Sequence, residues 1–420
     1  MKKKILIYNA TMCPRRQLDC SNLHSFLTEN DYLVVDNPQE AEDILLVTCA
    51  VWDLSEKTSI EALEELKTYN KNLVVLGCLP EINKSLLDRH FEGITIPPKK
   101  IHAINELFPH EIPFEHFDKS NDCTLYVSHP HDIQKNFTRI ADISNARRQI
   151  RHFIKTSVYF GPVKTFLMAK DLLIRKKTFS LKISQGCIWN CSYCAIKKAI
   201  GNLKSRPLKK IIEEAEEAIC QKGYQRIRIV ADDTGSYGID IGENFVDLLD
   251  GITQIKKFFT IWLGDMNPYW IIKYFDRLNR ILERKKIVSL VIPVQSGSQR
   301  IIDLMNRKYD IKMVKEIFSE LKKKHKYLQL GTHILAGFPT ESYEDIGANI
   351  SFIRDGGVTT GTVFMLSYRP GTKCSKMDGR FSQEEKEKRV IEHYHRLKES
   401  GYQVEFRIEE GTHHDIFFSK

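Results

Sequence analysis

Short unbroken apolar runs stand at Ile5–Asn9, Asp43–Thr48 and Asn72–Gly77, each followed by a longer stretch of helical character. Runs without polar alternation are what strands of a parallel sheet look like when both faces are covered. Between two of them, Ser55–Asn70 carries Ile60, Leu63 and Leu66 at the spacing of one helical stripe. This pattern predicts an open parallel α/β sheet over residues 1–118. The alternation resumes at residue 179, with strands expected at Phe179–Ser184, Arg226–Ala231, Phe258–Leu263, Val288–Val294, Leu328–Ala336 and Gly361–Ser367. Helices fill the gaps. In Pro207–Gln221, for example, Pro207 suits the first turn, and Leu208, Ile211, Ile212, Ala215, Ala218 and Ile219 form the buried stripe. Six such units predict a partial (β/α)6 barrel over residues 179–375, its site at the carboxyl ends of the strands. The whole is an α/β protein. Residues 119–178 show no strand pattern and carry Arg147, Arg148, Arg151, Lys155 and Lys164 among aromatic residues. They read as a basic helical connector that covers the barrel or lines a groove for RNA or a peptide. Beyond residue 376 the pattern gives one helix, Ser382–Ser400, and a short tail.

Composition narrows the classes. The chain has 420 residues and a formal charge of +9, from 63 basic and 54 acidic side chains, a surplus that suits a polyanionic partner or a solvated surface. No apolar run approaches the roughly 18 residues a membrane span needs, and Met1-Lys-Lys-Lys-Ile5 leads into a strand rather than a signal peptide. Ten cysteines without an export signal read as thiols and metal ligands in a reducing cytoplasm, not as a disulfide scaffold.

The chemistry concentrates in Cys187-Ile-Trp-Asn-Cys191-Ser-Tyr193-Cys194, a loop directly after an apolar strand. Three thiols at this spacing suit three irons of a 4Fe–4S cluster and leave the fourth iron open to a small molecule. A structural zinc loop would pair two Cys-x2-Cys knuckles, and no second knuckle follows. The spacing, with an aromatic residue before the last cysteine, resembles the radical S-adenosylmethionine (SAM) family, which implies SAM on the open iron. Polar residues at the other strand ends are then candidates to hold SAM: Asp232, Gln295 and Glu341 for its cationic and hydroxyl groups, Arg206 and Arg369 for its carboxylate, with Tyr193 beside the cluster.

Cys13, Cys49 and Cys78 each follow the end of an N-terminal strand, the place where an open α/β sheet gathers its site. Three converging thiolates suit a second cluster with an open iron. Cys20, Cys123, Cys220 and Cys374 lack that placement and read as ordinary thiols.

Both cysteine sets together, with Gly201-Asn-Leu-Lys-Ser205-Arg206, Asp233-Thr-Gly-Ser-Tyr237-Gly238, Pro293-Val-Gln-Ser-Gly297, Met305-Asn-Arg307, Gly337-Phe-Pro339 and Arg369-Pro-Gly371, resemble the methylthiotransferases of the radical SAM family. The wording Ala195-Ile-Lys-Lys-Ala-Ile-Gly201 is similar to the branch acting on threonylcarbamoyl-adenosine. The resemblance implies two 4Fe–4S clusters, SAM, an electron donor such as flavodoxin or ferredoxin, and insertion of a methylthio group into an unactivated C–H bond. Two departures stand out. Pro14-Arg15-Arg16 follows the first cysteine where the family has an asparagine two residues on, and only Gly401–Lys420 follows the last helix, too short for the family's C-terminal TRAM barrel. On that second ground a peptide or protein residue is the first expected substrate, and the adenosine beside the tRNA anticodon the alternative. A radical SAM enzyme with a single functional cluster and a non-enzymatic iron–sulfur protein that binds nucleic acid are the further readings.

Overall fold

The computed structural model describes residues 2–11, 13–123, 178–409 and 412–420. The basic connector lies, from residue 124 to 177, outside the described residues. The chain divides into two compact units: Met1–Leu181 with Ala218–Ile227, as far as they are described, and Lys182–Glu217 with Arg228–Lys420.

In the first unit, β1 (Lys4–Asn9), β2 (Leu33–Val35), β3 (Asp43–Thr48), β4 (Asn72–Gly77) and β5 (Thr95–Ile96) form one sheet in the order β2-β1-β3-β4-β5. Every pairing is parallel. Ile5, Ile7, Leu45 and Val47 point into a core shared with Leu23, Phe26 and Leu27 of helix α1 (Pro14–Glu29). Leu6, Ile44 and Leu46 alternate with them and are buried too. Both faces are covered, which is why the runs are unbroken in sequence. Helix α2 (Asp53–Lys67) buries Ser59, Ala62, Leu63 and Leu66, so its inner face is turned slightly from the expected stripe and Ile60 is only half-buried. Two short strands, β6 (Asn121–Asp122) and β7 (Thr178–Lys182), pair antiparallel with Asn121 opposite Ser180.

The second unit begins with a small hairpin, β8 (Ser184–Gln185) and β9 (Lys204–Ser205). Its main strands are β10 (Arg226–Val230), β11 (Thr260–Leu263), β12 (Ile287–Val291), β13 (Gln329–Ala336), β14 (Thr360–Met365), β15 (Gln403–Glu409) and β16 (Thr412–Ser419), in the order β15-β16-β14-β13-β12-β11-β10. From β11 to β14 the pairing is parallel, and among the described residues the sheet does not close on itself. The six expected strands are present, each within a few residues of its expected bounds. Side-chain caps fix where the intervening helices start: Asn267 accepts from Tyr269 N at 3.0 Å, and Asp310 from Lys312 N at 2.7 Å.

The C-terminal residues differ from the short tail expected after the last helix. β15 and β16 form an antiparallel hairpin, and β16 lies antiparallel along β14. Ile416 and Phe418 are buried and Phe417 is exposed, the period-two signature of a strand with one covered face. The run is brief and sits behind polar residues, so its strand character is weak in the sequence.

Candidate functional site

Each unit carries one set of three cysteines, and all six are free. In the first unit the register of the sheet brings the strand ends level. Thr48 pairs with Gly77, so Cys49 and Cys78 leave adjacent strands side by side, and Cys78 N donates to Thr48 O at 3.1 Å. Gly77 makes this approach with φ +98°, and a Cβ there would stand 2.2 Å from Thr48 O. Only glycine fits. On the other side of β3, Ala10 N donates to Val47 O at 2.9 Å, leading the chain to Cys13. Cys13 caps α1, and its own N–H donates to Thr11 Oγ1 at 3.0 Å. Burial first, then the neighbouring Cys13, raises the Cys49 thiol above its ordinary pKa. A buried cation stands beside this group: Arg16 is 3% exposed, with Nη1 3.9 Å from Cys78 Sγ and Nε 2.9 Å from Asp19 Oδ2.

In the second unit, the β8–β9 hairpin closes the loop that holds Cys187, Cys191 and Cys194. Gly186 opens it with φ +89°; a Cβ would meet Asn202 O at 2.0 Å. Its N–H donates to Asp232 Oδ2 at 2.8 Å. The far side of the loop is sewn to Leu304-Met305-Asn306: Ser192 N donates to Met305 O at 2.9 Å, Ser192 Oγ to Leu304 O at 2.9 Å, and Asn306 Nδ2 to Asn190 O at 2.8 Å. Trp189, inside the loop, donates from Nε1 to Asp233 Oδ2 at 2.6 Å. Trp270 Nε1 meets the same oxygen at 2.7 Å, and Asn267 N meets Oδ1 at 3.0 Å. Burial outweighs these three donors and raises the Asp233 pKa. Replacing Asp233 by alanine leaves two buried N–H groups and the half-buried indole of Trp189 without this partner, an expected cost of about 3 kcal/mol. A lowered midpoint in urea unfolding, with the slope unchanged, checks it.

Two thiols of this loop are held above their ordinary range. Burial pushes Cys187 up to about 12, with Asp233, Cys194 and Cys191 adding to it, and pushes Cys194 up to about 11, helped by Cys191. Among the described residues no three His, Cys, Asp or Glu side chains stand close enough to share one metal ion. A 4Fe–4S cluster does not ask for that, because each thiolate binds a different iron.

The residues expected around SAM fare differently. The Arg206 fork is engaged by Glu214 and, from Nη1 at 2.7 Å, by Lys182 O. These bonds brace the chain beside the hairpin. Asp232 supports Gly186 as described. Tyr193 packs against the cluster of Ile301, Met305, Phe338, Leu366 and Cys374, its hydroxyl accepting from Arg307 Nη1 at 2.9 Å. Arg369 is buried, and its carbonyl accepts from Thr372 N at 3.2 Å and Thr372 Oγ1 at 2.8 Å. Gln295, at φ +70°, follows β12, its backbone bonded to His333 O and Leu335 N at 2.8 Å each. Glu341 is 1% exposed; Oε2 accepts from Gly337 N at 2.8 Å, and burial raises its pKa to about 8. Gln295 Oε1 and Glu341 Oε1 are buried and receive no hydrogen bond from the described residues. Two orphaned acceptors at neighbouring strand ends fit a small ligand carrying an amine and hydroxyls. Asp233, Trp189, Ser192 and Arg307 escaped the sequence reading of the site, although Asp233 and Arg307 lie in the segments that carried the resemblance.

Residues 181–353 match the radical SAM superfamily, and residues 7–96 match uncharacterized protein family UPF0004. A probable threonylcarbamoyladenosine tRNA methylthiotransferase of Pyrococcus abyssi is 31% identical over 87% of this chain and 77% of its own. The chain belongs to the radical SAM methylthiotransferase family. Membership in that family implies a 4Fe–4S cluster and SAM. A ribosomal protein uS12 methylthiotransferase, RimO of Dictyoglomus thermophilum, is 30% identical over 93% of this chain and 81% of its own. In fold, the methylthiotransferase chain is similar to TsrM, a radical SAM methyltransferase of Kitasatospora setae, with a TM-score of 0.56, 13% identity, and coverage of 89% of this chain and 77% of that one. These relatives do not support placing a peptide or protein residue ahead of tRNA: the uS12 enzyme acts on a protein, but the tRNA alternative is the better backed. Among the described residues no helix is long and apolar enough to cross a membrane.

Proposed function

We propose that this enzyme is a tRNA methylthiotransferase whose target is a threonylcarbamoyladenosine nucleotide, and that it works with two 4Fe–4S clusters, one on Cys187, Cys191 and Cys194 and one on Cys13, Cys49 and Cys78. The observation that carries the substrate is the 31% identity, over 87% of the chain, to a relative named for that nucleoside. The net charge of +9 suits a polyanion. With clusters and SAM bound, the first centre supplies the electron that cleaves SAM and the second the sulfur to be transferred. The chain's own work is placement. Asp232 and Asp233 set the shape of the cysteine loop, while Gln295, Glu341 and Arg369 are the proposed neighbours of SAM. A reduced flavodoxin or ferredoxin is the proposed electron source, and the cytoplasm the proposed compartment.

A protein substrate is the second reading, supported by the 30% identity to the uS12 enzyme over 93% of the chain. The test is anaerobic incubation of the reconstituted enzyme with SAM, reductant and sulfide, offered total tRNA in one vessel and ribosomal protein in another. Digested nucleosides should gain the mass of one methylthio group on the threonylcarbamoyl-adenosine, with the protein unchanged. A gain on the protein alone would reverse the assignment.

A further inference from the structure

Arg307 is 7% exposed, and its direct partners are neutral oxygens, a sulfur and the ring of Tyr309, whose centroid lies 5.3 Å from Cζ. Nε donates to Tyr309 Oη at 3.1 Å, Nη2 to Pro293 O at 2.8 Å and Nη1 to Tyr193 Oη at 2.9 Å. Nη1 also lies 3.9 Å from Cys191 Sγ. Among the described residues no carboxylate pairs with it. Asp233 is near enough to sense its charge, but that carboxylate is taken up by Trp189, Trp270 and Asn267. A guanidinium out of water without a counter-ion is costly. Arg16 shows the contrast: it is buried at the same distance from a cysteine sulfur, but Asp19 neutralises it. Asp233 acts on Arg307 only at a distance, so among the described residues no carboxylate meets the guanidinium directly, and the sulfur it faces belongs to the cysteine loop.

We propose that Arg307 is the fixed counter-charge of the iron–sulfur centre on Cys187, Cys191 and Cys194, acting through Cys191 Sγ to raise that centre's reduction potential. The inference rests on the assignment of that loop to a cluster. Reduction takes one electron from the external donor, moves no proton, and makes the centre more negative by one charge. A cation fixed beside a ligating sulfur stabilises the reduced form more than the oxidised one, and charge and hydrogen bonding at the sulfurs are among the terms that set such potentials. Arg307 is a positioning residue in this sense, not a group that touches the reacting atoms.

The test is an anaerobic potentiometric titration of the full-length reconstituted protein, followed by electron paramagnetic resonance. The signal of this centre is told from any other by its change on adding SAM and by its loss in the Cys187→Ala/Cys191→Ala/Cys194→Ala variant. Arg307→Gln should lower the reduced-to-oxidised ratio at a fixed potential about tenfold, a shift of about 59 mV for a one-electron couple. Arg307→Lys, which keeps the charge and loses the fork, should stay closer to wild type. If Arg307→Gln does not hold iron, Arg307→His replaces it: its potential should fall with rising pH, as the imidazole loses its proton, more steeply than that of the wild type. A loaded Arg307→Gln with unchanged potential, equal shifts in the Lys and Gln variants, or a His variant that follows the wild type would each overturn the proposal. A SAM-sensitive signal that survives the triple cysteine substitution would instead overturn the cluster assignment beneath it.

Discussion

Replacing Cys187, Cys191 and Cys194 together by alanine is expected to reduce SAM cleavage to that of iron-free protein, with no 5′-deoxyadenosine formed under dithionite. No other thiol in the second unit is placed to stand in. Cys374 is buried with Ile301, Met305 and Phe338, its sulfur 3.4 Å from Thr372 Oγ1, and Cys220 belongs to the first unit. The scaffold should survive, because the loop is held by backbone and side-chain bonds that do not involve sulfur: Gly186 to Asp232, Trp189 to Asp233, and Ser192 to Met305 and Leu304. The check is a pair of measurements on one preparation: 5′-deoxyadenosine by chromatography, and unfolding by circular dichroism. Cleavage that persists would remove this loop from the chemistry. Loss of both cleavage and the folded signal would make the thiols structural.

The same substitution at Cys13, Cys49 and Cys78 is expected to separate the two halves of the reaction. SAM cleavage continues, since the loop of the second unit is intact, while methylthiolated product falls to the detection limit. The first unit's sheet should tolerate the change. Cys49 N and O are satisfied by Ser59 Oγ at 3.0 and 2.8 Å, and Cys78 N by Thr48 O, so the backbone keeps its partners when the sulfurs go. Cys20 offers no replacement: it is packed with Leu23 and Phe26, and burial holds its thiol well above the ordinary range. Iron per chain should fall by about half. Product formed at an undiminished rate would disprove the role given to these residues.

Much of this could be read from the chain because the relevant signals are local. An unbroken apolar run followed by a cysteine marks both a covered parallel strand and its carboxyl end, and three such runs fix where Cys13, Cys49 and Cys78 come to lie. The six strands expected from residue 179 onward are legible for the same reason. What sequence could not show is which polar groups satisfy each other. Arg206 and Arg307 look alike as isolated arginines in recognisable segments, yet one is engaged by Glu214, eight residues away along the same stretch, and the other reaches Cys191 from far along the chain. Adjacent Asp232 and Asp233 are likewise divided by geometry, one toward a backbone N–H and the other toward two indoles. The β15–β16 hairpin was missed because its strand character comes from pairing with β14, a long-range contact no local pattern announces.

The bonds that shape the cysteine loop have a bearing on the enzyme's life in the presence of air. Gly186, Trp189 and Ser192 find their partners within the protein. The loop thus has protein partners of its own, whereas a small zinc finger has little besides its metal to hold it. If the proposed centre is lost to oxygen, the expectation is that iron and sulfide alone restore it, without new polypeptide being made.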